Sequence, residues 1–248
     1  MSHSPVVLPP VVPGAALARR FAWPALRVLA FLGLISGLAI VALVSQVARP
    51  RLLTGLPDDP DVRAAQQLMR DRTLPVHGSL RWTSALLGDG GTSGMFTTLE
   101  RQRAQRAAAY VARAQRRRSW DARVSASAAA LALVQSDYRG AERGYRAAID
   151  RNPYYGEARL GLGVTLALRA RFERGALRPR ALMLAAIAQF AAVPGRDPAR
   201  PHALWNRAML LREVGREDEA RRIAAAYLLL DGRSTWADAL RREDLAAR

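Results

Sequence analysis

Three histidines, His3, His77 and His202, are the chain's natural candidates for general bases or zinc ligands, and they lie far apart in separate segments. No His-x-x-x-His or Glu-x-x-His pairing accompanies them, so a zinc site has nothing to assemble on. The chain has no cysteine, which removes disulfides, thiolate metal sites and cysteine nucleophiles. Asp58, Asp59 and Asp61 crowd beside Pro57 and Pro60, a pattern that suits helix capping better than calcium. Glu217, Asp218 and Glu219 sit at a helix start, where acids complement the dipole. The stretch Gly88–Gly94, GDGGTSG, resembles a phosphate loop only in its glycines. Such a loop needs a lysine that reaches the phosphates, and every basic residue here is arginine. Nor does GTSG match the Gly-x-Ser-x-Gly of a hydrolase elbow. The stretch reads as a flexible linker. No catalytic, metal or cofactor residue is assigned, and the chain is not expected to be an enzyme.

The elements that would position such groups come next. Half of the 248 residues are hydrophobic, 6% are aromatic, and alanine, leucine and arginine dominate. These are strong helix formers, so the expected class is all-α. The formal charge of +17 is consistent with compositional bias or with an anionic partner. One stretch, Asp137–Pro153 (DYRGAERGYRAAIDRNP), carries small residues at Ala141, Gly144 and Ala148, beside Tyr145 and Ile149. That is a packing signature: small side chains on one helix face let a second helix approach.

Residues 1–20, rich in proline and glycine, read as a flexible tail. Residues 21–49 read as a transmembrane helix, because Val28–Ala48 contains no charge. At about 1.5 Å per residue that run spans the ~30 Å hydrocarbon core. It is long for a signal peptide, and Ser45–Ala48 is a poor cleavage sequence. Gly33 and Gly37 form a small-xxx-small pair through which two such helices can associate. Basic residues flank the run almost evenly, Arg19, Arg20 and Arg27 before it, Arg49 and Arg51 after it. The expected arrangement is a single pass through the inner (plasma) membrane, N-terminus cytoplasmic and C-terminal domain periplasmic.

Residues 50–97 read as short helices, one of them over Leu80–Leu87, and a Gly-rich linker, with Asp59 as cap and Pro60 in the first turn of the first helix. A capping box at Thr97–Glu100 opens a basic helix over 98–121. Its apolar face includes Ala104, Ala107, Val111 and Ala114; Arg106, Arg113, Arg116 and Arg117 form a basic face opposite.

From Ala122 the chain repeats. Tyr138 and Phe172 lie 34 residues apart, as do Ala141 and Gly175, Ala186 and Ala220, and Pro198 and Gly232. The period and the residues together resemble the tetratricopeptide repeat (TPR) family. Tyr138, Ala141, Tyr145, Ala148 and Pro153 occupy the family's second helix and terminal proline, and Leu162-Gly163 its Leu-Gly pair. The resemblance implies a short α-solenoid of antiparallel helix pairs: three repeats over 122–234 with an insertion near 176–186, a degenerate half-repeat at 98–121, and a capping helix over 235–248 opened by a Thr235–Asp238 capping box. The repeat-packing residues are then Tyr138, Ala141, Tyr145, Ala148, Pro153, Gly163, Phe172, Phe190 and Ala220.

The family lines a concave surface with the first helix of each pair and binds peptides or helices there. Mapped onto this chain, the partner groove comprises Leu133, Val134, Leu160, Val164, Leu168, His202, Trp205, Met209 and Arg212. It lacks the paired basic and asparagine residues of the family's carboxylate clamp, so chaperone tails are not expected to bind. An apolar protein segment fits, or the chain's own residues 60–87 fill the groove. The function implied is a membrane-anchored scaffold or adaptor in the assembly or maturation of a cell-envelope complex. The alternative is an electrostatic adaptor whose arginine faces hold anionic lipid or nucleic acid; nucleic acid is the less expected partner.

Overall fold

The computed structural model describes residues 55–69, 80–91, 98–172 and 179–242. The tail, the apolar run at 28–48 with Gly33 and Gly37, Thr97 and residues 173–178 and 243–248 lie outside them. Among the described residues no helix is long and apolar enough to cross a membrane.

In chain order the elements are α1 (Pro60–Met69), β1 (Arg81–Ser84), β2 (Gly88–Gly91), α2 (Thr98–Arg117), α3 (Ala122–Val134), α4 (Tyr138–Arg151), α5 (Gly156–Phe172), α6 (Pro179–Ala191), α7 (Arg200–Glu213), α8 (Glu217–Leu230) and α9 (Thr235–Arg242). The helices pack in consecutive pairs, α1 with α2, α3 with α4, α5 with α6 and α7 with α8. Each pair also contacts the next. This is a series of stacked helical hairpins, the arrangement the repeat pattern implies.

The small residues do what their spacing suggests. A Cβ added to Gly144 on α4 would lie 2.8 Å from Ala129 Cβ on α3. One on Gly161 would lie 2.2 Å from the Tyr145 ring, and one on Gly163 2.4 Å from the Phe190 ring. Glycine at these places lets an aromatic ring of one helix sit against the backbone of the next. Ala141, Ala148 and Ala220 are likewise buried, as are Tyr145 and Phe190. Tyr138 is half-buried against this core. Phe172, at the end of α5, is 64% exposed, and Pro153 is exposed in the turn after α4.

The turns explain where the helices stop. After α3, Ser136 N–H donates to Leu133 O at 3.0 Å and Asp137 N–H to Ala132 O at 2.9 Å. After α7, Gly215 N–H donates to Arg212 O and Arg216 N–H to Leu211 O. Both are Schellman turns, which need a left-handed residue. Gly215 adopts φ 81° without strain, whereas Ser136 is held at φ 63°. Asp137 then caps α4 by accepting from Gly140 N–H at 2.8 Å, and Asp121 caps α3 by accepting from Arg123 N–H.

The structure departs from the sequence reading in three places. Helix 98–117 is not alone: α1 is its antecedent, and Arg113 and Arg117 on α2 bind Asp61 at 2.8 and 2.5 Å. Asp59, itself the cap of α1 through Asp61 N–H, takes a second bond from Arg117 at 2.9 Å. Leu80–Leu87 is strand and turn rather than helix. Gly88 at φ 75° follows a turn closed by Leu87 N–H to Ser84 O, so β1 and β2 pair antiparallel, Ser84 opposite Gly88. The glycine run expected as linker therefore contributes a strand, Gly88–Gly91. Finally, Ser234 rather than Thr235 caps α9, its hydroxyl accepting from Ala237 N–H.

Candidate functional site

The inner helices of the stack are α3, α5 and α7. Leu133 and Val134 lie on α3, Leu160, Val164 and Leu168 on α5, and His202, Trp205, Met209 and Arg212 on α7. All but Met209 and Arg212, which are half-buried, are buried. Trp205 packs edge-on against Tyr227 at 5.9 Å and Trp236 at 5.0 Å, so its ring joins α7 to α8 and to the capping helix.

The β1–β2 hairpin packs directly on α5 and α7. It is held by burial of Leu80, Trp82, Leu86 and Leu87 in the core and by bonds to its main chain. Arg81 N–H donates to Asn206 Oδ1 at 2.7 Å, and Asn206 Nδ2 donates back to Arg81 O at 2.7 Å. Asn206 is fully buried on α7 and satisfies both its ends on one peptide residue. Further along, Ala85 N–H donates to Glu157 Oε1 at 3.0 Å. Glu157 Oε2 accepts from the Tyr155 hydroxyl at 2.7 Å.

Two side-chain seats flank the main-chain clamp. The Arg81 guanidinium donates to Tyr227 OH at 2.6 Å and to Asp231 at 2.8 Å, and lies over the rings of Tyr227 and Trp236. This cage combines an ion pair with cation–π attraction in a partly desolvated place. Burial and the neighbouring Asp231 push Tyr227 up to about 12. Burial opposes ionisation of Asp231, yet bonds from Tyr227, Arg81 and Ser234 hold its carboxyl below the usual range. Trp82 is 1% exposed. Its indole N–H is turned toward the buried Tyr145 hydroxyl, outside hydrogen-bond geometry.

At the tip of the hairpin a cavity of about 190 Å³ is lined by Thr83, Ser84, Ala85, Tyr155, Glu157 and Asp197 among others. Burial raises the Glu157 and Asp197 carboxyls above their usual range, and Asp197 raises Glu157 further. Asp197 accepts from Ala199 N–H and Gly156 N–H, so it also finishes the start of α5.

The basic face is partly neutralised from within. Arg113 and Arg117 are tied to Asp59 and Asp61, while Arg106 and Arg116 are exposed on α2. Among the described residues no group of three or more His, Asp or Glu is arranged to hold a metal ion. Sequence reasoning did not single out Asn206, Glu157, Tyr227, Asp231 or Trp236 as groove residues. The one available signal was Asn206, a lone amide that, with Arg207, interrupts the otherwise apolar Ala203–Leu211 of α7 and must find partners when buried.

No protein-family profile matches the chain, and no curated protein matches it. Among solved structures it is similar to the crystal structure of YrrB, described as a TPR protein with an unusual peptide-binding site. The identity is 17%, the match covers 57% of this chain and 84% of that one, and the TM-score is 0.25.

Proposed function

We propose that the chain is a non-enzymatic tetratricopeptide-like scaffold that binds a protein partner on its inner helices, held at a membrane by residues 28–48. The observation that carries this reading is the manner in which α5 and α7 hold residues 80–91. Asn206 and Glu157 on these helices bond to the main chain of an extended polypeptide. Its Arg81 is seated by Tyr227 and Asp231 at the end of the neighbouring α8 and by Trp236 of α9, and its Trp82 is buried near Tyr145 of α4. A surface that grips one extended segment in this way has the chemistry to grip another. The uncharged run Val28–Ala48 supports an anchor, and the reading places the helical array on the periplasmic side of the inner membrane, where it serves assembly or maturation of an envelope complex.

The test is site-directed photocrosslinking in intact membranes, with the photoreactive residue at Met209 or Arg212 on the inner side and at Arg222 on the outer side. A discrete protein adduct from the inner positions alone is expected, identified by mass spectrometry. Equal labelling from both sides, or none from Met209 and Arg212, rejects the groove as the binding surface. The electrostatic alternative predicts capture that falls steeply with salt. Neutralisation of Arg113 and Arg117 by Asp59 and Asp61 favours the groove over that alternative.

A further inference from the structure

We propose that the groove reads a short extended motif, an arginine followed by a large aromatic residue, and that residues 80–91 are its built-in competitor, replaced when a partner presents the same motif. The proposal rests on the scaffold reading and adds to it the chemistry of the partner and the means of control.

The hairpin is bound as a ligand is bound. The Asn206 amide recognises the peptide group of Arg81 whatever its side chain, and fixes the chain in extended form. The Tyr227–Asp231–Trp236 cage then selects the side chain. Two ring faces and one carboxylate suit a planar guanidinium, which stacks and pairs at once, better than an ammonium. The next residue turns to the opposite face of the strand, as period-two geometry requires, and is fully enclosed near Tyr145. That seat is large because Gly161 lets the Tyr145 ring lie against α5.

The competitor is intrinsically weak as a free-standing unit. It is a two-stranded hairpin whose second strand, Gly88–Gly91, has Asp89 as its single side-chain-bearing member. Two strands alone are marginal in water, so its order depends on the groove. An incoming segment must match its contacts, burial of Leu80, Trp82 and Leu86 included. Against a segment that does so its remaining advantage is the tether, which amounts to a high effective concentration. A partner that adds contacts beyond the motif overcomes it.

The experiment uses the full chain and a blocked synthetic peptide, Leu-Arg-Trp-Thr-Ser-Ala-Leu-Leu-Gly-Asp-Gly-Gly, labelled for fluorescence anisotropy. Binding is expected to be weak to the wild type and at least about tenfold tighter to Arg81→Ala, whose own occupant has lost its cage contacts. A peptide with alanine for arginine should lose about tenfold or more on that variant. Because Arg81→Ala also bears on folding, hydrogen exchange on the wild type gives the second measurement. The Arg81 and Ala85 amides should open before those of α5 and α7, and excess peptide should speed their exchange. Equal affinity of both peptides, or Arg81 and Ala85 amides that exchange only with global unfolding, overturns the proposal. A hairpin locked by an Ala85→Cys, Glu157→Cys disulfide separates the two readings. If the locked chain still captures the crosslinked partner, the scaffold stands and the exchange mechanism falls. If the peptide enters and no partner is ever captured, the scaffold reading is the one that fails.

Discussion

The side chain of Asn206 occupies both main-chain groups of Arg81, one bond in each direction and each 2.7 Å long, across a separation of 125 residues. Both partners are buried, so water cannot replace either bond.

Asn206→Leu should therefore leave an N–H and a C=O of Arg81 without partners, at about 1–3 kcal/mol each. A total loss of about 2–6 kcal/mol is expected in urea unfolding of the purified domain. Asn206→Asp should cost nearly as much, since it keeps the acceptor and loses the donor. A loss under about 0.5 kcal/mol for both variants would show that the hairpin is not held by this amide.

Acidification should first stabilise the fold and then destabilise it. Folding raises the Glu157 and Asp197 carboxyls, so their ionisation disfavours the native state, and stability rises as pH falls from neutral through their folded values. Asp61 is held low by bonds from Arg113 and Arg117, and Asp231 is also held low, so their contributions are present at neutral pH and lost below about pH 4. Midpoints of urea unfolding between pH 7.5 and 3 should pass through a maximum. Glu157→Gln keeps an acceptor for Ala85 and removes the charge; it should flatten the rise above about pH 5. An unchanged profile in that variant would rule out Glu157 as the source.

Gly161→Ala and Gly163→Ala should both destabilise, although alanine is the better helix former by about 1 kcal/mol. The added methyl meets the Tyr145 ring at 2.2 Å or the Phe190 ring at 2.4 Å, and over-packing of this kind costs about 1–3 kcal/mol. Thermal melts that rise in either variant would contradict the close helix approach described for that pair.

Ser136→Gly should stabilise by about 0.5–1 kcal/mol, because the left-handed conformation costs a side-chain-bearing residue about 1–2 kcal/mol and glycine's extra freedom offsets part of the gain. Gly215→Ala, at the equivalent turn, should destabilise by about 1 kcal/mol. Opposite signs at the two turns, read from chemical denaturation, are the expected result.

The paired helices were legible because their determinants are local and periodic. Ala141, Tyr145 and Ala148 announce a packed face by spacing alone, and the same small-large pattern reaches Phe190 and Ala220. The hairpin was not legible. Leu80–Leu87 has a composition compatible with a helix, and its strand form depends on Asn206 and Glu157, which lie far along the chain. The glycines at 88–91 have no side-chain pattern to read. The partner of helix 98–117 was missed for a related reason. Pro60–Met69 is short, falls outside the 34-residue period, and is joined to α2 in part by ion pairs from Asp59 and Asp61. Trp205 was legible as an inner-helix residue, yet its packing on Trp236 follows from the capping helix and not from the repeat.

A stack in which each unit touches only its neighbours melts from its ends, because terminal units can leave without disturbing the rest. The bonds from Arg81 to Asn206, Tyr227 and Asp231 alter that behaviour. They bridge up to 150 residues and tie a segment that precedes the second helix to the last hairpin of the array. Fraying at the C-terminal end must break this strap, so the array unfolds as a more cooperative whole than its repeat architecture alone dictates. With the Arg81–Trp236 ring contact beside it, this strap is the longest-range set of contacts described in the chain, and long loops close late. Its closure is therefore expected to follow the local contacts within the helical pairs.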